Sequence, residues 1–193
     1  MPMNAIKLAG FARKFASDPD PWNTFTSRDE EVKREAILHG LGVGPVGRVL
    51  ELASGNGSNS RALAQRSLRL DATEGTAEGT RLTAAAIQAW PRARALRVAL
   101  PARLPRTRYD AVIVAELLYY LSQRDMAAVA GALGRALRTG GTLVLAHHRI
   151  DFYDFEQHAG DIQQRFLDAT GFRWRARTVR LCRRWSVVAA TKR

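Results

Sequence analysis

The stretch RVLELASGNGSNSRAL, residues 48–63, decides the fold of this chain. A short apolar strand, residues 49–52, contains one carboxylate, Glu51, and leads through a turn with Gly55 and Gly57 into a helical pattern. A strand, a glycine turn and a helix in this order are typical of the first unit of a doubly wound α/β sheet. Ligands of such sheets bind at the carboxyl ends of the strands. We therefore expect the turn to lie at a ligand site, with the glycines letting the backbone approach the ligand.

Strand and helix patterns alternate along the rest of the chain, and nearly all of the strands are apolar. Such alternation predicts a mostly parallel sheet that is covered by helices on both faces. The last two strands are close enough in sequence to pair antiparallel. The predicted fold is a doubly wound, Rossmann-like α/β fold, with a seven-stranded mostly parallel sheet and an antiparallel C-terminal strand. The predicted strands cover residues 48–53, 68–75, 93–100, 109–116, 142–149, 173–181 and 185–193, and the predicted helices residues 26–41 (a surface helix), 58–67, 78–90, 123–141 and 160–171.

The length of 193 residues and the 46% of hydrophobic residues are those of one globular domain. Residues 1–38 are predicted to form a lid or cap segment together with the first helix, and residues 39–193 the ligand-binding domain. No apolar run is long enough to span a bilayer, and the amino terminus lacks the apolar core of a secretory signal, so we expect a cytoplasmic protein. The single cysteine, Cys182, excludes a disulfide or a cysteine zinc site within the chain.

The formal net charge of +12 raises the possibility of a nucleic-acid partner. Lysine contributes only four of the 30 basic residues, which indicates a compositional bias towards arginine rather than a selected polybasic tract. In the densest stretch, Arg173, Arg175 and Arg177 alternate with other residues, which predicts the solvated face of a strand. A nucleic-acid partner therefore stays an alternative to a small-molecule partner.

Two carboxylates flank the glycine turn in the predicted sheet. Glu51 sits within an apolar strand, and a buried acid needs a partner or a function, which a cationic amino acid group beside the turn would supply. Glu74 ends the second strand, where an acid can hydrogen-bond both hydroxyls of a ribose. The G-x-G-x-x-G pattern of nicotinamide sites is absent, because Ser60 stands where its last glycine would be. The arrangement predicts a ligand that joins a nucleoside to a positively charged tail.

This turn resembles the first motif of class I S-adenosylmethionine-dependent methyltransferases, which reads acid, any, Gly, any, Gly, any, Gly. The chain reads ELASGNG over residues 51–57, with Ala53 in place of the first glycine, a replacement that is tolerable if the backbone there has a negative φ. The resemblance implies S-adenosylmethionine as the cofactor. It also implies cofactor contacts from the residues of this turn and of the second strand's end, namely Glu51, Ala53, Gly55, Gly57, Glu74 and Gly75.

The adenine side of the predicted site departs from the family. Where the family commonly has an aspartate in a pattern like ADLP, the chain reads VALP over residues 98–101, with Ala99 at the place of the acid. The adenine would then be held by the backbone at Ala99 and by apolar contact with Leu100.

Two further stretches resemble the NodS-like N-methyltransferase group. SDPDPWNTFTS, residues 17–27, resembles the segment that precedes the first helix of this group and folds over the cofactor, and AELLYYL, residues 115–121, resembles its stretch after the fourth strand. The resemblance runs from about Phe15 to the end of the chain and departs at Asp29, where relatives tend to carry a tyrosine. It implies that Trp22 closes over the cofactor, although a packing tryptophan would look the same in the sequence.

Methyl transfer from a sulfonium requires an in-line geometry, and an amine acceptor must lose a proton to react. Glu116 ends the fourth strand, and we expect it to contact the cofactor and to accept this proton, with His148 at the end of the fifth strand as the second choice. Glu116 could instead cap the next helix, and either His147 or His148 could be a plain polar residue. Tyr119 and Tyr120 are expected to line the acceptor site, and Tyr119 is counted with Glu116 and His148 among the catalytic residues, although one of the two tyrosines could be a plain core residue.

The sequence therefore predicts an S-adenosylmethionine-dependent methyltransferase with a small acceptor, an amine of a sugar-like or natural-product molecule. The alternatives are an RNA methyltransferase, suggested by the charge, and a noncatalytic binding module, suggested by Ala53 and Ala99. The segment DFYDFEQH, residues 151–158, is expected to form a substrate wall or a solvated loop. The spacing of its acids and histidines matches no metal-binding motif, so we expect no metal.

Overall fold

The computed structural model of the chain describes residues 5–193. Seven strands in this part of the chain form one sheet: Val46–Leu52 (β1), Ser67–Glu74 (β2), Ala93–Arg97 (β3), Tyr109–Ala115 (β4), Leu137–His148 (β5), Trp174–Leu181 (β6) and Trp185–Lys192 (β7). Six α-helices accompany them: Leu8–Ser17 (α1), Arg28–Gly40 (α2), Ser58–Arg66 (α3), Ala77–Ile87 (α4), Gln123–Ala136 (α5) and Ile162–Ala169 (α6). A 3₁₀ helix covers Leu118–Tyr120.

The strands lie in the order β3-β2-β1-β4-β5-β7-β6. The pairs β3–β2, β2–β1, β1–β4 and β4–β5 are parallel, whereas β7 is antiparallel to both β5 and β6. The predicted fold class is thus confirmed. The strand order reverses between β1 and β4, because β2 and β3 lie on one side of β1 and the later strands on the other. The carboxyl ends of β1 and β4 meet at this switch point, where open α/β sheets bind their ligands.

Helices cover both faces of the sheet. On one face, Ile37 of α2, Leu63 of α3 and Ile87 of α4 are buried in one apolar layer. On the other face, Leu133 of α5 and Phe166 of α6 are buried in a second layer. Full burial of an aliphatic or aromatic side chain contributes roughly 1.5–3 kcal/mol, so two such layers hold the strand ends in fixed positions.

The fourth predicted helix ends earlier than expected. The prediction that it continues to the paired glycines Gly140 and Gly141 is wrong, because Leu137 already begins β5. The ammonium of Lys192 on β7 donates to the carbonyl oxygens of Gly134 (2.6 Å) and Leu137 (2.9 Å), and a cation at this position stabilises a helix end. Gly140 has a φ of +76° within β5, and it lies where the pairing of β5 with β4 is irregular, between the paired residues Leu137 and Thr142.

The amino-terminal segment contains more structure than the sequence indicated. No helix was predicted where α1 lies, and α2, predicted as a surface helix, buries Lys33 and Ile37 on one face. The predicted boundary after residue 38 falls inside α2 and stays a prediction. Residues 1–4 of the predicted lid segment lie outside the described residues.

Within residues 5–193, none of the helices is long and apolar enough to cross a membrane. The same part of the chain contains no group of three or more histidine, cysteine, aspartate or glutamate side chains arranged to hold a metal ion. The cytoplasmic location stays a prediction.

Candidate active site

A cavity of about 440 Å³ opens at the carboxyl ends of β1, β2 and β4, and the amino-terminal segment walls its outer side. Its volume is in the range of small-molecule sites. The glycine turn after β1 borders this cavity, as the sequence predicted. Among the predicted site residues, Trp22, Ala53, Gly55, Glu74, Gly75, Leu100, Glu116, Tyr119 and His148 line the cavity, whereas Glu51, Gly57 and Ala99 do not.

The turn begins with an alanine in the left-handed region. Ala53 has a φ of +53°, so the condition under which an alanine would fit without strain, a negative φ, is not met. The chain reverses sharply between β1 and α3 here, held by hydrogen bonds from Ser54 N–H to Thr73 O (2.8 Å) and from Gly57 N–H to Ser54 O (2.9 Å). A residue with a Cβ pays roughly 1–2 kcal/mol for this conformation, so the surrounding contacts must enforce it.

The glycines of the site have different neighbours. Gly55, with a φ of +59°, borders the cavity and donates its N–H to Glu74 Oε2 (3.1 Å). At Gly57, a Cβ would lie 2.8 Å from Cα of Thr83 and equally close to Cβ of Ala86. Gly57 therefore lets α3 pack closely against α4, and its expected contact with the cofactor stays a prediction.

Glu51 already has a partner within the chain. Its carboxyl group is buried, and the Ser60 hydroxyl donates to Oε2 at 2.5 Å. Burial raises the pKa of Glu51 to about 8; the nearby Glu74 carboxylate adds to the rise, and the Ser60 hydrogen bond and Arg34 oppose it. Because Glu51 lies behind the cavity wall, its contact with a cationic tail stays a prediction.

Glu74 stands at the end of β2 with its carboxylate on the cavity. Oε1 accepts hydrogen bonds from the N–H (2.8 Å) and the hydroxyl (2.9 Å) of Thr76, and Oε2 accepts from Gly55. These bonds fix the carboxylate beside the turn. This is the position that the sequence assigned to the acid that binds a ribose.

The segment at residues 17–27 is attached to the glycine turn by Asp20 and Asn56. The Asn56 side-chain amide donates to Asp20 Oδ1 (2.8 Å) and to the Pro19 carbonyl (3.2 Å). Asp20 also accepts hydrogen bonds from Thr24 and Phe25. Burial alone would raise the pKa of Asp20, but these hydrogen bonds lower it below its ordinary value. The segment is thereby held over the cavity.

Trp22 belongs to an aromatic group on this outer wall. Its ring meets those of Phe15 (centroids 5.5 Å apart) and Phe11 (6.1 Å), and Lys14 Nζ lies 5.5 Å from its centroid. Trp22 is 39% exposed and lines the cavity. The sequence analysis did not identify Phe11 and Phe15 as residues of the cavity wall, because it predicted no helix where α1 lies.

Glu116, which follows β4, lies at the centre of a group of charged and polar side chains at one end of the cavity. It has a φ of +51°, and its N–H donates to the Ala146 carbonyl (2.9 Å). Oε1 accepts from Lys33 Nζ (2.6 Å), Oε2 accepts from the Tyr119 hydroxyl, and His148 Nε2 lies 3.8 Å from Oε2. Glu116, Tyr119 and His148 thus come together as the sequence placed them.

Lys33 is a site residue that sequence reasoning missed. Its side chain is 3% exposed and lies between Glu30 Oε1 (2.7 Å) and Glu116 Oε1 (2.6 Å). Burial by itself would lower the pKa of Lys33, but the two carboxylates outweigh burial and raise it. One signal was available, since a lysine in an arginine-rich chain stands three residues after Glu30 on a predicted helix.

His147 is fully buried and does not line the cavity. Its Nε2 lies within reach of the N–H groups of Leu117 (3.4 Å) and Leu118 (3.3 Å) and accepts from them. Burial, together with the charges of Lys33 and His148, lowers the pKa of His147 to about 3, so it is neutral at physiological pH. His147 therefore supports the turn after Glu116.

Aromatic side chains form the rest of this end. Tyr119 stacks on Phe155 with centroids 3.7 Å apart, and Tyr120 packs edge-on against both rings. Burial, with the nearby Asp154 carboxylate next in importance, raises the pKa of Tyr120, so its hydroxyl keeps its proton. Phe152 and the next three residues of the predicted wall line the cavity.

Fold and cavity together define the class of this protein. The switch-point cavity, with Glu74 at the end of β2 and the glycine turn after β1, is suited to a nucleoside, and the chain is an S-adenosylmethionine-dependent methyltransferase with S-adenosylmethionine as its methyl donor. The chain belongs to the NodS (Nodulation protein S) family, whose model matches residues 9–160.

Solved structures have the same fold. N-methyltransferase NodS from Bradyrhizobium japonicum WM9, in complex with S-adenosylhomocysteine, is 17% identical with a TM-score of 0.79 over 96% of this chain and 97% of that one. A putative methyltransferase from Pseudomonas syringae is 20% identical (TM-score 0.73, 86% of this chain, 100% of that one). The DhpI–SAH complex is 17% identical (TM-score 0.72, 96% of this chain, 94% of that one). No protein with a curated description matches the chain.

Proposed function

We propose that this methyltransferase transfers the methyl group to an amine of a small acceptor, on a sugar-like or other natural-product scaffold. The observation that carries the proposal is the Glu116 carboxylate in the cavity, next to His148 and surrounded by aromatic side chains. A carboxylate and an imidazole at the reacting end are suited to bind an ammonium and to accept its proton.

The reaction needs one proton acceptor and no covalent intermediate. The acceptor ammonium loses one proton to Glu116 or His148, and the nitrogen lone pair then forms a bond to the methyl carbon. The carbon–sulfur bond breaks with its electron pair on sulfur, so the products are S-adenosylhomocysteine and a methylated ammonium. The residues of the site contribute mainly by holding the amine in line with that bond.

Charge and shape at this end favour a cationic, partly apolar acceptor. Four carboxylates line the cavity, those of Glu30, Glu74, Glu116 and Asp154, against two ammonium groups, those of Lys14 and Lys33. Aromatic rings offer flat apolar surfaces to a sugar ring. Such an excess of negative charge is poorly suited to a phosphate backbone, which supports a small amine over RNA.

The donor would occupy the other end of the cavity. We assign Glu74 to the ribose hydroxyls of the donor. Leu100 and the backbone at Ala99 would contact its adenine ring. Gly55, Gly75 and the backbone of Ala53 would let the chain come close to the donor. Trp22 would cover it from the outer wall. The cavity surfaces of Glu74, Gly55 and Leu100 support these assignments.

The test is methyl transfer from labelled S-adenosylmethionine to glucosamine and other amino sugars, with N-acetylglucosamine as the matched acceptor that lacks a free amine. We expect transfer to an amine, none to the acetylated sugar, and a loss of at least tenfold in kcat for Glu116→Gln. Equal labelling of both sugars, or transfer to RNA alone with a rate that falls steeply with salt, would contradict the proposal.

A further inference from the structure

Lys33 connects two carboxylates of the cavity through a single nitrogen atom. Both Glu30 and Glu116 bond this atom, and the side chain is almost fully buried. We propose that Lys33 is a positioning residue of the enzyme, which holds Glu116 as an ionised carboxylate with one oxygen facing the acceptor amine. This inference rests on the role of Glu116 in the proposed function.

The backbone of Glu116 needs such a restraint. Its φ of +51° is a conformation that residues with a Cβ adopt at a cost of roughly 1–2 kcal/mol. His147 fixes the two N–H groups that follow, and Lys33 occupies Oε1. Oε2, which carries the Tyr119 hydrogen bond and lies nearer to His148, remains for the substrate.

The charge of Lys33 lies directly against the Glu116 carboxylate, with Nζ 2.6 Å from Oε1. The groups that face Glu116 are Lys33 and Glu30 of α2, the hydroxyl groups of Tyr119 and Tyr120, and the His148 imidazole of β5. Lys33 is the cation among these groups whose charge persists through the neutral range. Without it, the Glu30 and Glu116 carboxylates would repel each other in a poorly solvated space, and one of them would take up a proton.

An ionised Glu116 binds the acceptor ammonium. The proton that the ammonium loses then passes to another group. The structure offers His148 as the next acceptor, since its Nε2 lies 3.8 Å from Glu116 Oε2 and its Nδ1 lies 3.3 Å from the Arg184 carbonyl. Lys33 thereby divides the work between a carboxylate that orients the amine and an imidazole that removes the proton.

The test is a pH titration of the glutamate carboxyl carbons by ¹³C NMR on the full chain without ligand, with Glu116 assigned through Glu116→Gln. In Lys33→Met, we expect Glu116 to titrate at least one pH unit higher, a tenfold higher proton affinity. In Glu30→Gln, which removes a neighbouring negative charge, Glu116 should titrate at a lower pH than in the wild type. Unchanged titration of Glu116 in Lys33→Met would overturn the inference; if that variant does not fold, unchanged titration in Glu30→Gln would do so.

Lys192→Met is the matched control. Lys192 is also a buried lysine, but it bonds two backbone carbonyl oxygens at the end of α5. Lys192→Met should lower the melting temperature and leave the titration of Glu116 unchanged. If Glu116 titrated at an equally shifted pH in Lys192→Met and in Lys33→Met, the shift would be a result of general destabilisation.

Activity provides the second measurement. With an amine found in the acceptor screen, the acidic limb of the kcat/KM profile should move to higher pH in Lys33→Met and stay in place in Lys192→Met. If the wild type methylates no amine, the proposed function fails, while the carboxyl titration still decides the role of Lys33.

Discussion

The hydroxyl of Ser60 on α3 donates a hydrogen bond to the carboxyl group of Glu51 on β1, 2.5 Å away, in the wall behind the cavity. The acid for which the sequence suggested a cationic ligand group as the partner thus has a neutral partner inside the protein. Burial raises its pKa to about 8, so the folded protein keeps this carboxyl protonated at neutral pH.

Glu51→Gln should change how stability depends on pH. The unfolded chain releases the Glu51 proton near pH 4.5 and the folded chain near 8, so the wild type loses stability as pH rises between these values. The contribution is at most about 1.4 kcal/mol per pH unit. In urea unfolding from pH 5 to 8, the variant should lack this decline; the same decline in both proteins would contradict the assigned protonation.

His147→Gln should also change how stability depends on pH, but it should remove a loss of stability at falling pH rather than at rising pH. The folded pKa of His147 is about 3, below the ordinary 6.5, so the wild type loses stability as pH falls from 6.5 towards 3. The glutamine oxygen can still accept from the N–H groups of Leu117 and Leu118 but does not titrate. The variant should therefore lose less stability than the wild type between pH 6.5 and 4. A loss as large as that of the wild type would show that His147 is not the titrating group.

Glu74→Gln should weaken the binding of S-adenosylhomocysteine by at least tenfold in calorimetric titration, about 1.4 kcal/mol or more, because it replaces the carboxylate assigned to the ribose. The matched control is Asp71→Asn, another buried acid of β2, which binds Arg94, Arg106 and Tyr109 and does not line the cavity. The control should lose stability and retain affinity. Equal affinities of Glu74→Gln and the wild type would contradict the ribose assignment.

Gly57→Ala should destabilise the protein by about 2–4 kcal/mol, since it combines a left-handed φ of +85° with a Cβ only 2.8 Å from the Thr83 backbone. Gly42→Ala is the control, because Gly42 has a φ of +94° and no atom within 4 Å of the added Cβ. Its loss should be limited to the backbone strain, roughly 1–2 kcal/mol. Urea unfolding at constant pH compares the two variants, and similar losses would mean that the α3–α4 contact relaxes freely.

Local pattern was sufficient for the sheet and for most of its helices. The apolar run before Glu51 and the glycines after it placed β1, its turn and α3, because periodicity and turn chemistry act over a few residues. The end of α5 could not be predicted in this way. The ammonium that binds its last carbonyl oxygens comes from Lys192, 55 residues beyond Leu137.

The sequence by itself determined the fold class, the switch-point turn and the presence of Glu74 and Glu116 at strand ends, since the alternation of strands and helices follows from local periodicity and such alternation produces a parallel sheet with its ligand site at the carboxyl edge. Only the tertiary structure decided that Glu51 pairs with Ser60, that Ala53 takes a positive φ, and that Lys33 reaches Glu116 across 83 positions of the chain. The physical reason is that hydrogen bonds and charge pairs form between groups that folding brings together, and no periodicity in the chain encodes those distances.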